Sequence, residues 1–314
     1  MLAELHGRDF DARLVGISRK VGFSHSDILP FGTFCTSLVN RGAMTTTTTR
    51  NVELLYAELA LAAARKGAEA IGAQARILDT SIKGSRYDLV TSADKSAERA
   101  IVDHIVGHHP QDAIMAEETG ARSGSSGLRW AIDPIDGTTN FVHGRRDFAV
   151  SVGVESDRDG IFAGAIVRPA YNDWAAAEKG RIYSSSVQLQ VSSVPINRAL
   201  VAVGLCHDAD ARAYTIRTII PALVSHIQDW RWVGSAACDL FCVAEGSLDG
   251  YVGIDLEIWD TAAGQALVEA AGGFTTTVTA AGIPILLAGS ADVVEGLHRA
   301  ITSIEHPAQH ELRR

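Results

Sequence analysis

The chain has 314 residues, 46% hydrophobic and 21% charged, with 28 Lys and Arg against 37 Asp and Glu for a net charge of −9. That composition excludes wholesale disorder, suits one large domain or two, and makes nucleic acid or an anionic membrane a poor partner. Any anionic substrate must meet locally placed cations.

Four cysteines (Cys35, Cys206, Cys238, Cys242) are too few for a disulfide scaffold. Cys238 and Cys242, four apart on a predicted helix, read as small core residues rather than zinc ligands. No apolar run reaches the roughly 18 residues of a membrane span, and no basic-then-apolar leader is present. A reduced, cytoplasmic setting is the expectation. Residues 1–49 lack periodicity and end in the threonine tract Thr45 to Thr49, so they read as a disordered extension, with Met44 as a candidate natural start.

Periodic sequence begins at Val52, and Leu54, Leu55, Leu59 and Leu61 predict an amphipathic helix to Ala75. Thr91-Ser92-Ala93-Asp94 predicts a second helix start, followed by the apolar stripe Ile101, Val102, Ile105 and Val106 and closed by Gly107 and Pro110. Ala113 to Ala116 and Trp130 to Ile132 read as short buried strands. Alternation at Phe148, Val150, Val152 and Val154, then turns at Asp157 to Gly160 and at Asn172-Asp173, predict an antiparallel meander. From Ala199 strands and helices alternate. A strand is expected at Leu200 to Leu205, a helix at Tyr214 to Val224 interrupted by Pro221, and a helix at Ser235 to Ala244. A strand at Tyr251-Val252 and a helix from Asp260 to Ala271 stopped by Gly272-Gly273 come next, then two short strands and a helix over Ala291 to Ile304. The expected division is an α+β unit over 50–195, an α/β unit over 196–305, and a polar tail over 306–314.

Acidic residues concentrate where strands end or helices begin. The four segments are Asp88 to Asp94, Ala116-Glu117-Glu118-Thr119, Asp133-Pro134-Ile135-Asp136-Gly137-Thr138-Thr139-Asn140-Phe141, and Trp259-Asp260-Thr261-Ala262-Ala263-Gly264. A turn through Pro134 and Gly137 would aim Asp133 and Asp136 into one space with the Ile135 carbonyl between them. Carboxylates and a carbonyl suit a hard cation such as Mg²⁺. Each acid alone also fits something ordinary: a turn residue at Asp133 or Asp136, a helix N-cap at Asp94 or Asp260, a solvated loop at Glu117. Together they would repel, at roughly 4 kcal/mol for two unit charges 4 Å apart, unless cations intervened.

Trp130 to Phe141 resembles the first signature of the inositol monophosphatase family, and Trp259 to Gly273 its second, W-D-x-A-A-G followed by E-A-x-G-G. The similarity runs from about Val52 to Ala300. It implies a layered α-β-α-β-α sandwich and a Mg²⁺-dependent, lithium-inhibited phosphomonoesterase. It also implies two or three ions held by Glu117, Asp133, the Ile135 carbonyl, Asp136 and Asp260. Glu117, Asp94 and Thr138 would orient and polarise the attacking water, with Lys83 near the site. Asp136, Gly137, Thr138, Asp260 and the small segment Gly234-Ser235-Ala236 would contact substrate, Ser235 fitting a simple N-cap equally well. A homodimer is also implied.

The chain departs from the family in two places. Gly253 stands where inositol monophosphatases usually carry a glutamate that binds a substrate hydroxyl, with Asp255 or Glu257 as candidate substitutes, and Ser184-Ser185-Ser186 replaces an Asn-Gly turn. The expected substrate is a small polyol or sugar phosphate, led by inositol 1-phosphate, with histidinol phosphate and fructose 1,6-bisphosphate as alternatives. Ile135 and Thr139-Asn140 argue against the nucleotidase branch. A contrasting class is a non-catalytic regulatory protein that binds RNA or a transcription partner.

Overall fold

The structure, a computed structural model, describes residues 55–74, 80–83, 88–185 and 189–305. The extension over 1–49, the start at Met44, Cys35, Ser186 and the tail over 306–314 lie outside the described residues.

Helix α1 (Tyr56–Gln74) buries Ala57, Ala60, Ala64, Ala68 and Ile71, which recur every three or four residues and form one face. It packs on α2 (Ser92–His108), whose Ala93, Ala97, Ile101 and Ile105 are buried. A hairpin of β1 (Thr80–Ile82) and β2 (Leu89–Thr91) leads into α2. Both helices cover one face of a seven-stranded sheet ordered β4-β3-β5-β6-β7-β8-β9. Its strands are β3 (Ala113–Ala116), β4 (Gly120–Arg122), β5 (Leu128–Asp136), β6 (Ala149–Ser156), β7 (Gly160–Arg168), β8 (Asp173–Glu178) and β9 (Arg181–Ser184), with the one-turn helix α3 (Thr138–Val142) after β5. Only the β3/β5 pair is parallel; β6 to β8 form the predicted meander, which β5 and β9 extend on either side.

The second sheet is ordered β11-β10-β12-β14-β13, from β10 (Leu200–Gly204), β11 (Asp229–Arg231), β12 (Gly250–Ile254), β13 (Phe274–Ala280) and β14 (Ile283–Gly289). Strands β11, β10 and β12 run parallel, and β13/β14 is an antiparallel hairpin. Helices α4 (Ala209–Tyr214) and α5 (Ile220–Val224) precede β11. Helices α6 (Ala236–Ala244) and α7 (Ile258–Ala270) lie between the sheets, and α8 (Ala291–Glu305) covers the outer face of the second. Three apolar cores fill the gaps, so the architecture is the layered α/β sandwich. Cys238 is buried and Cys242 partly so on α6, both free thiols in a packed environment.

Two predicted helices are corrected. The helix expected from Tyr214 begins at Ala209, because Asp208 caps it by accepting from Asp210 N and Ala211 N. Pro221 does not break it: a π-helical turn over Thr215–Ile219 absorbs the missing donor before α5 continues. Strand β11 was not foreseen, since Asp229-Trp230-Arg231 has no apolar alternation and is paired only by its neighbour β10. Helix α7 starts two residues before Asp260.

Candidate active site

The parallel register of β3 and β5 pairs Ala116 with Ile132, so the next residues, Glu117 just past β3 and Asp133 within β5, stand side by side. Glu117 N donates to Ile132 O at 3.1 Å. Asp133 and Asp136 are three apart, and a regular strand would point them to opposite faces. The expected turn is not what aligns them. Strand β5 continues through both residues, and its register against β6 slips: Asp133 faces Ser151 and Asp136 faces Ala149. That bulge, one residue too many on β5, re-aims the chain between them. Asp133 is almost fully buried, and its Oδ1 accepts from Ile135 N at 3.0 Å.

Asp94 and Asp260 are not N-caps. Thr91 caps α2 and Glu257 caps α7; each aspartate is the third helical residue and closes a capping box. Asp94 Oδ2 accepts from Thr91 N at 2.8 Å and Thr91 Oγ1 at 2.6 Å, leaving Oδ1 for Thr138 Oγ1 at 3.2 Å. Thr138 Oγ1 also lies 3.0 Å from the Ile135 carbonyl. Asp260 Oδ2 accepts from Glu257 N at 2.9 Å. Helix α7 is seated by Ser151 Oγ, which donates to Trp259 O at 3.2 Å.

Asp136 is held from the N-terminus of α6. Ser235 Oγ donates to its Oδ2 at 2.5 Å and Ala237 N at 2.6 Å, while Ser235 also accepts from Cys238 N as the N-cap of α6. Gly137 is left-handed, with φ 89°, and a Cβ there would meet Asp147 O at 2.9 Å and Gly234 O at 3.2 Å. Only glycine lets these two loops touch. Asn140 Nδ2 fastens them, donating to Asp147 O at 2.7 Å and Val233 O at 2.9 Å. Ala236, the first residue of α6, sits beside Asp136. Lys83 Nζ donates to Glu117 Oε1 at 2.8 Å and Glu118 Oε1 at 2.5 Å.

The predicted residues therefore converge from β1, α2, β3, β5, α3, α6 and α7. Burial pushes the Asp133 carboxyl well above its ordinary range, and Glu117, Asp136, Asp260 and Asp94 push it further. Burial raises Asp94 to about 6 against the pull of the Thr91 hydrogen bonds. Burial likewise raises Asp136 to about 6 despite the bonds from Ser235 and Ala237. Burial alone would lower the Lys83 ammonium, but Glu117 and Glu118 hold it above its usual value. Among the described residues no three His, Cys, Asp or Glu side chains form a ready-made cation shell. Glu117 is drawn to Lys83, and Asp94, Asp136 and Asp260 each commit one oxygen to a cap or loop. The donors nonetheless fit a hard divalent ion: all are oxygen, and their mutual repulsion is relieved only by protons or added positive charge.

Several positioning residues had no signal in the sequence. Buried Glu98 accepts from Glu118 N at 2.7 Å and Thr119 N at 2.9 Å, fixing the turn that carries Glu117. Its only trace was a polar residue on the buried face of α2. His207, in the loop after β10, places Nδ1 3.9 Å from Asp88 Oδ1. At Gly253 a Cβ would meet Leu256 Cδ1 and Tyr251 Cε1 at 2.7 Å, so the Tyr251 ring occupies the space a larger residue would need. Asp255 is exposed with φ 51°, and Glu257 is engaged as the α7 cap.

A profile of the inositol monophosphatase family matches residues 51–311. The chain belongs to that family. It is 37% identical over 227 residues to the Nus factor SuhB of Salmonella typhimurium, covering 70% of this chain and 84% of that protein. It is 33% identical over 232 residues to the inositol-1-monophosphatase of Rhizobium meliloti, covering 71% and 86%. The structure of inositol monophosphatase from Anabaena superimposes with a TM-score of 0.67 at 30% identity, covering 79% of this chain and 95% of that one. Among the described residues no helix is long and apolar enough to cross a membrane.

Proposed function

We propose that this inositol monophosphatase family member hydrolyses a small polyol or sugar phosphate monoester, led by inositol 1-phosphate. Glu117, Asp133, the Ile135 carbonyl, Asp136 and Asp260 would hold two or three Mg²⁺ ions. The supporting observation is the convergence of Glu117, Asp136 and Asp260, together with Asp94, on almost fully buried Asp133, whose carboxyl is driven up by burial and by these four acids. Bound Mg²⁺ supplies a lowered pKa for water and the positive field that a phosphate dianion requires.

The chain's own residues do the orienting. Thr138 Oγ1 donates its proton to Asp94 Oδ1 and so turns a lone pair toward the attacking water. Lys83 pins Glu117 and Glu118 in one orientation. Ser235 and Ala237 aim Asp136. Asp136, Gly137, Thr138, Gly234, Ser235, Ala236 and Asp260 would contact the ester. Water adds to phosphorus, the ester oxygen leaves as the alcohol with a proton, and inorganic phosphate is the second product.

The test is phosphate release with Mg²⁺ from inositol 1-phosphate, histidinol phosphate, fructose 1,6-bisphosphate and 3′-phosphoadenosine 5′-phosphate, by the native chain and by Asp133→Asn. Hydrolysis of a polyol or sugar ester by the native chain alone is expected. Equal, negligible release by both would overturn the enzyme assignment. A regulatory, non-catalytic role is the second reading, favoured by the similar proteins named Nus factor SuhB. It requires a macromolecular partner whose binding survives chelation and Asp133→Asn.

A further inference from the structure

Strands β10, β11 and β12 are parallel, so their C-terminal loops emerge at one end of the second sheet. The β12 loop leads to Asp260, and the β11 loop carries Gly234 and Ser235. The third, after β10, is Cys206-His207-Asp208, which the catalytic proposal does not use. It reaches the opposite flank of the carboxylate pocket, since His207 lies 3.9 Å from Asp88, and Asp88 Oδ1 is 3.9 Å from Lys83 Nζ.

Helix α4, which follows the β10 loop, meets the β11 loop in a stacked pair. The Arg212 guanidinium lies 4.7 Å from the Trp232 ring centroid, and Arg212 Nη1 donates to Cys206 O at 3.3 Å. Trp232 is 49% exposed, and its Nε1 lies 4.0 Å from where a Cβ on Gly234 would project. His207 is influenced electrostatically by Lys83 and Arg212 as well as by Asp88. The acid in this loop, Asp208, turns its Oδ1 to the α4 cap. A permanent cation, a histidine and an indole thus stand on the rim of a pocket whose interior is strongly acidic.

We propose that Arg212, oriented by Trp232 and flanked by His207, is a specificity determinant that binds a second anionic group on the alcohol half of the substrate. The preferred esters are then sugar phosphates bearing another phosphate or carboxylate, rather than neutral polyol esters. This rests on the phosphomonoesterase proposal and moves its leading substrate from inositol 1-phosphate to a sugar phosphate with a second anionic group. A guanidinium can fork two hydrogen bonds onto such a group, and stacking limits the rotamer entropy lost on binding.

The experiment compares fructose 1,6-bisphosphate with fructose 1-phosphate in the native chain, Arg212→Gln and Arg212→Lys. Direct calorimetric binding of fructose 6-phosphate and of fructose accompanies it. The native chain should show the lower KM for the bisphosphate. Arg212→Gln should raise that KM about tenfold, the worth of one charge-assisted bond, with kcat and the fructose 1-phosphate KM unchanged. Arg212→Lys should restore part of the difference. Fructose 6-phosphate should bind the native chain about tenfold more tightly than Arg212→Gln, and fructose equally to both. Equal changes for both esters, or no change, would overturn the proposal. If no ester is hydrolysed the catalytic assignment fails. The calorimetry then decides alone: fructose 6-phosphate affinity indifferent to Arg212→Gln removes the anion site.

Discussion

Asp94 and Asp260 occupy the same place, the third residue, in two helices that belong to different layers, and each closes a capping box with one carboxylate oxygen. The cap fixes the rotamer and leaves the second oxygen to the pocket between the sheets. A helix terminus thereby does two jobs: it satisfies its own N–H groups, and it delivers an acid in a defined direction toward Asp133. The positive end of each helix also favours the charged form that burial opposes.

Asp133→Asn should separate stability from activity. It removes a buried acid that four neighbouring acids also press upward, so the chelated protein should melt at a higher temperature than the native chain. Phosphate release should fall by more than about 100-fold, the upper end of the loss for residues that merely support a metal ligand. A lower melting temperature in chelator would show that the four neighbouring acids do not repel Asp133 as described.

Stability of the chelated protein should depend on pH through Asp94. Its carboxyl rises from 3.8 to about 6 on folding, chiefly through burial. The folded state therefore holds this proton more tightly. The associated stability is fully present below about 4 and is lost as pH rises through about 6, amounting to roughly 3 kcal/mol. Asp94→Asn has no such titration. Denaturation of both proteins in chelator between pH 4 and 7.5 should show the native chain losing ground to the variant as pH rises. A gap that stays constant with pH contradicts the sign.

Ser235→Ala should cost about 1 kcal/mol as a lost N-cap on α6. Its larger effect should be catalytic, because the same hydroxyl aims Asp136. A drop in Mg²⁺ affinity or turnover of about 10–100-fold is expected. Ser235→Thr, which keeps the hydroxyl, should recover most of it; equal losses in the two variants would leave only a packing role.

Glu98→Ala leaves Glu118 N and Thr119 N without their acceptor, at a cost of about 1–3 kcal/mol. The turn holding Glu117 should loosen, so turnover should fall even where the protein remains folded. Hydrogen exchange at Glu118 and Thr119 reads this directly, and unchanged protection there would rule out the role given to Glu98.

The acidic segments around Glu117, Asp133 and Asp260 were legible before any coordinates, and their reading as one site came from the resemblance to the two inositol monophosphatase signatures. The helix at Ser92 and the meander from Phe148 were equally readable, since capping residues and period-two alternation are local signals. The start of α4 and β11 were not. One depends on a cap six residues before the apolar pattern, and the other on a neighbour distant in sequence.

Residue types, and the local caps that point Asp94 and Asp260, were determined by sequence alone, since these interactions span three residues. Only tertiary structure decided the rest. The bulge in β5 replaces the expected turn, the β3/β5 register sets Glu117 beside Asp133, and buried Glu98 steadies the turn at Glu117. The rim of His207, Arg212 and Trp232 forms because three parallel strands end on one side. Each depends on pairing between segments far apart in the chain, where no local preference carries the information.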